Sequence, residues 1–263
     1  MNFKYKISVA SDKGTRETNE DFYGILENHK DILLVLCDGV GSEQDSDIAA
    51  KITVKTFLTR FKKRFPLFFC FSRFYNNCIK ASLRKLRKLT NKNQGMGTTL
   101  CVVYIHKNIA QCANIGDSRI YYYSASQKQW SQKTFDHNLL NKIYAKYDAQ
   151  RKKRPDLINI INEKENSEIE LNKESLSFLT SCVSSDEEIT PSTSYYKTIP
   201  QLQPNDMFFI VSDGVYHFIK PEKINELIQA KTVEFKNYSK TIIEQAIQNG
   251  SNDNLTSIVL KIR

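Results

Sequence analysis

The amino-acid sequence predicts an α+β fold. Three observations carry this: a continuous apolar run at Ile32–Cys37, two adjacent segments with helical spacing, and three short strand-like segments joined by tight turns. Strands, then a helix pair, then strands and further helices do not form the regular strand–helix alternation of a parallel sheet.

Ile32–Cys37 reads Ile-Leu-Leu-Val-Leu-Cys, and its lack of alternation suits a strand buried on both faces. It stops at Asp38-Gly39-Val40-Gly41-Ser42, a turn signal. A helix is expected from about Ser46 to Phe65, with Ile48, Ile52, Phe57, Phe61 and Phe65 near one face and Pro66 breaking it. A second is expected from about Phe68 to Leu89. Phe71, Phe74, Tyr75, Cys78, Ile79, Leu83 and Leu86 line one side of it, opposite Arg84, Lys85, Arg87 and Lys88.

Thr98–Tyr104, Ile109–Ile115 and Arg119–Tyr123 read as a meander. Met207–Ser212 is a strand running into Asp213-Gly214. Helices are expected near Pro221–Ala230 and Tyr238–Asn249, and Leu255–Ile262 is a closing strand. Between about Asn138 and Ser177 the pattern weakens into a basic run, Arg151–Arg154, and the acidic stretch Glu163–Glu174. A helical insertion, a mobile flap and a partly disordered segment all fit. No Gly-, Pro- or Ser-rich linker divides the 263 residues, so one domain over 1–263 is expected, with a flap-like insertion at about 138–177.

Hydrophobic residues make up 40% of the chain, which excludes disorder throughout. No apolar run reaches the roughly 20 residues that cross a bilayer, and the first residues lack the apolar stretch of a secretory signal. Net charge is +9, yet the charge is scattered and no aromatic–basic motif of an RNA-binding sheet occurs, so no nucleic-acid partner is expected. The basic faces at Arg60–Arg64 and Arg84–Lys88 read as solvated helix surfaces, or as docking sites for acidic segments or an anionic surface. The six cysteines form no Cys-x-x-Cys pair and read as free thiols of a reducing, cytoplasmic compartment.

The chemistry-bearing feature is an Asp repeated at strand ends and tight turns: Asn19-Glu20-Asp21, Asp38-Gly39, Gly116-Asp117-Ser118-Arg119, Ser212-Asp213-Gly214 and Asn252-Asp253-Asn254. One such Asp is ordinarily a turn residue. Several converging carboxylates would repel one another unless cations lay between them. An all-oxygen set selects hard ions such as Mg²⁺ or Mn²⁺, and no His/Cys set at zinc spacing competes.

These segments, with Arg16-x-x-Asn19-Glu20-Asp21, Gly95-Met96-Gly97-Thr98-Thr99 and Asp136-His137, stand in the order found in the metal-dependent protein phosphatases of type 2C. The sequence resembles that family from Ser11 to Leu260, except about 138–177. The form Asp38-Gly39-Val40-Gly41-Ser42 followed by Ser46-Asp47 is similar to a divergent bacterial branch. The resemblance implies a β-sandwich of two antiparallel sheets flanked by helix pairs. It implies hydrolysis of phosphoserine and phosphothreonine in proteins by a metal-bridging hydroxide attacking in line, reversing a Ser/Thr kinase. It further implies Asp38 bridging two ions, Asp213 and Asp253 completing one, the Gly39 carbonyl serving the other, and Asp21 and Glu20 holding its waters. Asp117 matches a third-ion ligand and Arg16 a phosphate-gripping residue. A catalytic unit of this kind is expected to act as a monomer.

Physical chemistry supports the same roles. Two divalent ions balance the four charges of Asp21, Asp38, Asp213 and Asp253, so a phosphate dianion needs a further attraction, which a two-pronged guanidinium at Arg16 supplies. Blander roles stand beside these. Glu20 reads also as a solvated surface acid, Asp117 as a turn cap with Arg119 paired to a nearby acid, and Asp47 as a first-turn residue of its helix. Gly95–Thr99 reads as a packing device and not a phosphate cradle, since the P-loop Lys is missing. Val40 occupies the place where eukaryotic relatives often carry His, which removes that general acid. His137 is expected to orient a loop, and His29, His106 and His217 to lie in loops or at the surface. The alternative to an enzyme is a catalytically inactive, phosphatase-like module that binds phosphorylated or other anionic partners.

Overall fold

The computed structural model describes residues 4–28, 31–40, 46–63, 70–89, 95–149, 177–186, 195–230 and 233–263. Strand β1 is Tyr5–Asp12, β2 Phe22–Asn28, β3 Asp31–Cys37 and β4 Gly39–Val40, followed by α1 (Ser46–Lys63) and α2 (Phe71–Leu89). Then come β5 (Gly97–Thr98), β6 (Leu100–His106), β7 (Ile109–Ile115), β8 (Arg119–Ser124), β9 (Gln129–Gln132), α3 (Leu139–Ala149), β10 (Val183–Ser184) and β11 (Tyr195–Ile199). The chain ends with β12 (Met207–Val211), the one-turn α4 (Asp213–Tyr216), α5 (Glu222–Ala230), α6 (Tyr238–Gln248) and β13 (Leu255–Ile262).

Two five-stranded antiparallel sheets stack face to face, one ordered β1-β13-β12-β8-β9 and the other β11-β7-β6-β3-β2. Between them pack Ile32, Leu34, Leu36, Val103 and Ile105 from one sheet and Ile120, Phe208, Ile210, Ile258 and Leu260 from the other. The alternate residues Leu33, Val35 and Cys37 turn outward beneath α1 and α2. On the far side Phe209, Val211 and Val259 meet α4, α5 and α6. The order helix pair, sheet, sheet, helices explains the unbroken apolar run of β3: both faces are covered, so every residue is buried. This is the α+β sandwich that the resemblance implies.

Several expectations need adjusting. In α1 the buried face runs through Ala49, Ala50, Thr53, Val54, Phe57 and Phe61, while Ile48 and Ile52 are only partly buried. Small residues let this helix lie close to the sheet. Phe65 and Pro66 lie outside the described residues. The run expected as Thr98–Tyr104 divides: Gly97–Thr98 leaves the main sheet to join β4 and β10 in a three-stranded patch. His106 is not a loop residue. It closes β6 directly opposite Asp31, and its Nδ1 sits 2.5 Å from the buried Asp31 Oδ1, which also accepts the Tyr104 hydroxyl at 2.9 Å. His29 lies outside the described residues, as do residues 150–176 of the insertion, whose first part is α3.

Candidate active site

Five aspartates gather at one edge of the sandwich because five separate elements end there. Asp38 follows β3, Asp21 precedes β2, Asp213 follows β12 by one residue, Asp253 precedes β13, and Asp117 sits in the turn from β7 to β8. Asp21 is buried and the other four are half-buried. Removal from water raises all of the shifted acids. Asp38 is then pushed well above the usual carboxylate range by Asp21, Asp213, Asp117 and Asp253 together. Burial lifts Asp21 to about 7, against hydrogen bonds from Ser212 and Thr256 that favour its ionised form. Burial with Asp213 and Asp136 nearby lifts Asp117 to about 7, and burial with Asp253 nearby raises Asp213. Asp213 is among the charges that raise Asp38, an arrangement that favours the protonated form when no cation separates the carboxylates.

A polar scaffold fixes these acids. The Asp38 main chain is held by the Thr99 hydroxyl, which accepts from its N–H at 3.0 Å, and by the Thr98 hydroxyl and Thr99 N–H, which donate to its carbonyl at 2.9 and 2.8 Å. Thr99 in turn meets the Ser118 hydroxyl at 2.7 Å. Gly95–Thr99 thus works through Thr98 and Thr99 on backbone placement. The Ser212 hydroxyl donates to Asp21 Oδ2 at 2.7 Å and accepts from Thr256 N–H at 2.9 Å. Asn254 binds three main-chain groups, at Lys13, Thr18 and Glu20, and so ties the Arg16 loop to the Asp253 turn.

Gly214 permits the closest approach. A Cβ there would lie 2.1 Å from the Asn254 carbonyl oxygen. Gly214→Ala is therefore expected to push Asp213 and Asp253 apart, to cost about 1–3 kcal/mol in urea unfolding, and to weaken divalent-ion binding. Gly116, at φ +94° against Thr99, turns the chain into Asp117.

Arg16 is exposed, and its guanidinium pairs with Asp253 Oδ2 at 2.9 Å. Glu20 enters through its main chain, since its carbonyl accepts from Gly39 N–H at 3.2 Å. Asp47 pairs with Lys51 one helical turn on, a first-turn role. His137 orients a loop as expected: its Nδ1 contacts both main-chain groups of Gly116 at 3.1–3.2 Å. His217 is exposed, and its charge lowers Asp213. Arg119 clasps Asp136 at 2.6 and 3.0 Å and lies 3.7 Å over the Tyr216 ring, closing one wall beside Asp117. Cys37, next to Asp38, is buried and its thiol is pushed up by that burial, which leaves it inert. Sequence reasoning gave no role to the hydroxyls of Ser212, Thr256 and Ser118, because their partners Asp21 and Thr99 lie far away in the chain or, for Thr256, in another strand.

The donor set fits hard dications. It is all oxygen, it is crowded with like charge, and the buried Asp21 Oδ1 has no hydrogen-bond partner. Among the described residues no three such side chains form a closed cage as they stand, with Arg16 on Asp253 and Ser212 on Asp21. Ion binding thus calls for small side-chain turns, with the backbone already in place.

The fold and the acidic edge define a sandwich-type metal-dependent phosphatase. A sequence model of the protein phosphatase 2C family matches residues 11–259, and the chain belongs to that family. A Mycoplasma genitalium protein described as a candidate protein phosphatase is 27% identical over 268 residues, covering 96% of this chain and 94% of that one. The Streptococcus agalactiae serine/threonine phosphatase superposes with a TM-score of 0.79 at 22% identity, over 99% of this chain and 100% of that one. The catalytic domain of the phosphatase PstP, solved with two manganese ions, superposes with a TM-score of 0.69 at 21% identity over 98% of each chain.

Proposed function

We infer that this protein removes phosphate from phosphoserine and phosphothreonine side chains of proteins, with divalent ions held at the acidic edge. The observation that carries this reading is the convergence of Asp21, Asp38, Asp117, Asp213 and Asp253 at one sandwich edge, where Arg16 is the cation seen paired. In this reading Asp38 would help hold two ions, Asp213 and Asp253 would serve one of them, and Asp21, Glu20 and the Gly39 carbonyl would serve the other. Asp117 would serve a third. Bound ions of this kind make water a competent nucleophile near neutral pH and offset charge on the phosphoryl oxygens. Mn²⁺ and Mg²⁺ both suit oxygen donors.

The protein's own residues do the rest. Arg16 leaves Asp253 to grip phosphate with two parallel hydrogen bonds. The Thr98, Thr99 and Ser118 hydroxyls keep Asp38 from moving as charge shifts. Arg119, pinned by Asp136 and Tyr216, keeps positive charge close to Asp117. Residues 1–263 act as one catalytic unit, and the substrates are products of a Ser/Thr kinase, the reaction class that makes such esters. All six cysteines are free, which suits the cytoplasm, and no helix among the described residues is long and apolar enough to cross a membrane.

The test is hydrolysis of p-nitrophenyl phosphate and of a phosphothreonine peptide with Mn²⁺ or Mg²⁺; activity that survives EDTA would overturn the reading. Arg16→Ala is expected to raise KM about tenfold with little change in kcat, and Arg16→Lys to restore only part of it. An unchanged KM would remove Arg16 from phosphate binding.

A further inference from the structure

The two helices over the β3 sheet carry the chain's entire excess of positive charge. Helices α1 and α2 hold eleven Lys and Arg against the single Asp47, a net of +10, while the whole chain is +9. The remainder is therefore close to neutral, and the charge is not scattered as the sequence alone suggested. Where the C-terminal half of α1 meets α2, a groove of about 310 Å³ is lined by Thr56, Thr59, Arg60, Lys63, Ala81 and Lys85. The Lys85 ammonium donates to the Thr56 hydroxyl at 2.8 Å, which holds its charge over the groove. Among the described residues no acid pairs with Arg60, Lys63 or Lys85; Lys51 pairs with Asp47 at the other end of α1.

We propose that this groove docks an acidic segment of the phosphoprotein substrate while the phosphorylated residue occupies the acidic edge. Three observations select this occupant. The charge is of one sign and its opposite is needed. The groove is concave with hydroxyls between the bases, which suits individual carboxylates better than a plane of lipid headgroups. Among the described residues no aromatic side chain lines it, so these residues offer no stacking platform for single-stranded nucleic acid. Geometry links it to the site. A Cβ on Gly39 would touch the Ser46 carbonyl carbon at 2.8 Å, so α1 starts at the acidic edge. At about 1.5 Å per residue, Thr56–Lys63 lie roughly 15–25 Å further on. An extended chain covers that distance in about five to eight residues. Substrate docking rests on the phosphatase reading; binding of an acidic peptide does not.

The experiment compares two phosphothreonine peptides, each with an eight-residue Gly/Ser spacer followed by six Glu or six Gln. At low ionic strength the Glu peptide is expected to show a KM at least about fivefold lower with equal kcat, an advantage that shrinks with added salt. Arg60→Glu/Lys63→Glu should abolish the advantage. Lys4→Glu/Lys240→Glu, the same charge change at exposed positions elsewhere, should keep it. Turnover of p-nitrophenyl phosphate, expected to be equal in all three proteins, checks that each is folded. Anisotropy of a labelled, unphosphorylated Glu peptide reads the groove without catalysis, so an inactive enzyme that binds this peptide would overturn the phosphatase reading and not the groove. Equal KM values for the two peptides, equal loss in both double variants, or phosphatidylglycerol vesicles bound more tightly than the Glu peptide would overturn the proposal.

Discussion

Asp38→Asn is expected to lower kcat with p-nitrophenyl phosphate by about a thousandfold or more, while making the ion-free protein more stable. The first effect follows from removing a carboxylate that feels the four others, at the position proposed to be shared between ion sites. The second follows from the same crowding. Without ions, Asp38 is a source of repulsion, and an isosteric amide removes it. The melting temperature in EDTA should rise by about 2–4 °C for each kcal/mol of repulsion relieved. Manganese should stabilise the wild type and leave the variant nearly unmoved. A variant that keeps normal activity, or one less stable than wild type in EDTA, would contradict the assignment of Asp38.

Stability of the ion-free protein should fall as pH rises, opposite to ordinary acid denaturation. Asp21 and Asp117 keep their protons to about pH 7 in the folded state, against an ordinary value of 3.8. Between those values the unfolded chain has released protons that the folded chain still holds. The contribution is therefore complete below about pH 4, declines as pH rises, and is lost above about 7. Each pKa unit corresponds to about 1.4 kcal/mol at a fully buried group, and less at half-exposed Asp117, so a total of a few kcal/mol is expected. Divalent ions bind the ionised acids, so they should stabilise most at pH 8 and little at pH 5. Urea unfolding at both pH values, with EDTA and with Mn²⁺, checks this. An EDTA-treated protein that gains stability from pH 5 to pH 8 would show that the acids do not converge as described.

The elements read correctly from sequence are those whose cause is local. Ile32–Cys37 has no polar residue because both its faces are covered, Ile109–Ile115 lies between turn residues, and Leu255–Ile262 follows a turn. The α2 stripe is legible because a single face packs on the sheet. Strand β1 escaped notice because its burial is only partial and its partner, β13, lies at the other end of the chain. Strands β9 and β11 are sheet edges, where pairing with a neighbour decides the structure more than the residues do. At the site, Asp after an apolar strand was a usable signal for Asp38 and Asp213. The pairing of Arg16 with Asp253 was not legible, since it depends on two loops brought together by Asn254 across more than two hundred residues.

The burial of β3 on both faces also bears on how the molecule breathes. Amides of Leu34, Val35 and Leu36 lie in the middle of a sheet, with side chains packed above and below, so their hydrogen exchange should require opening of the whole domain. Asp38 is the residue at the tip of that slowest-exchanging segment. Loss and recapture of ions can then be a fast event at the rim of a body that stays shut, and cycles of starvation and resupply of metal need not pass through any unfolded intermediate.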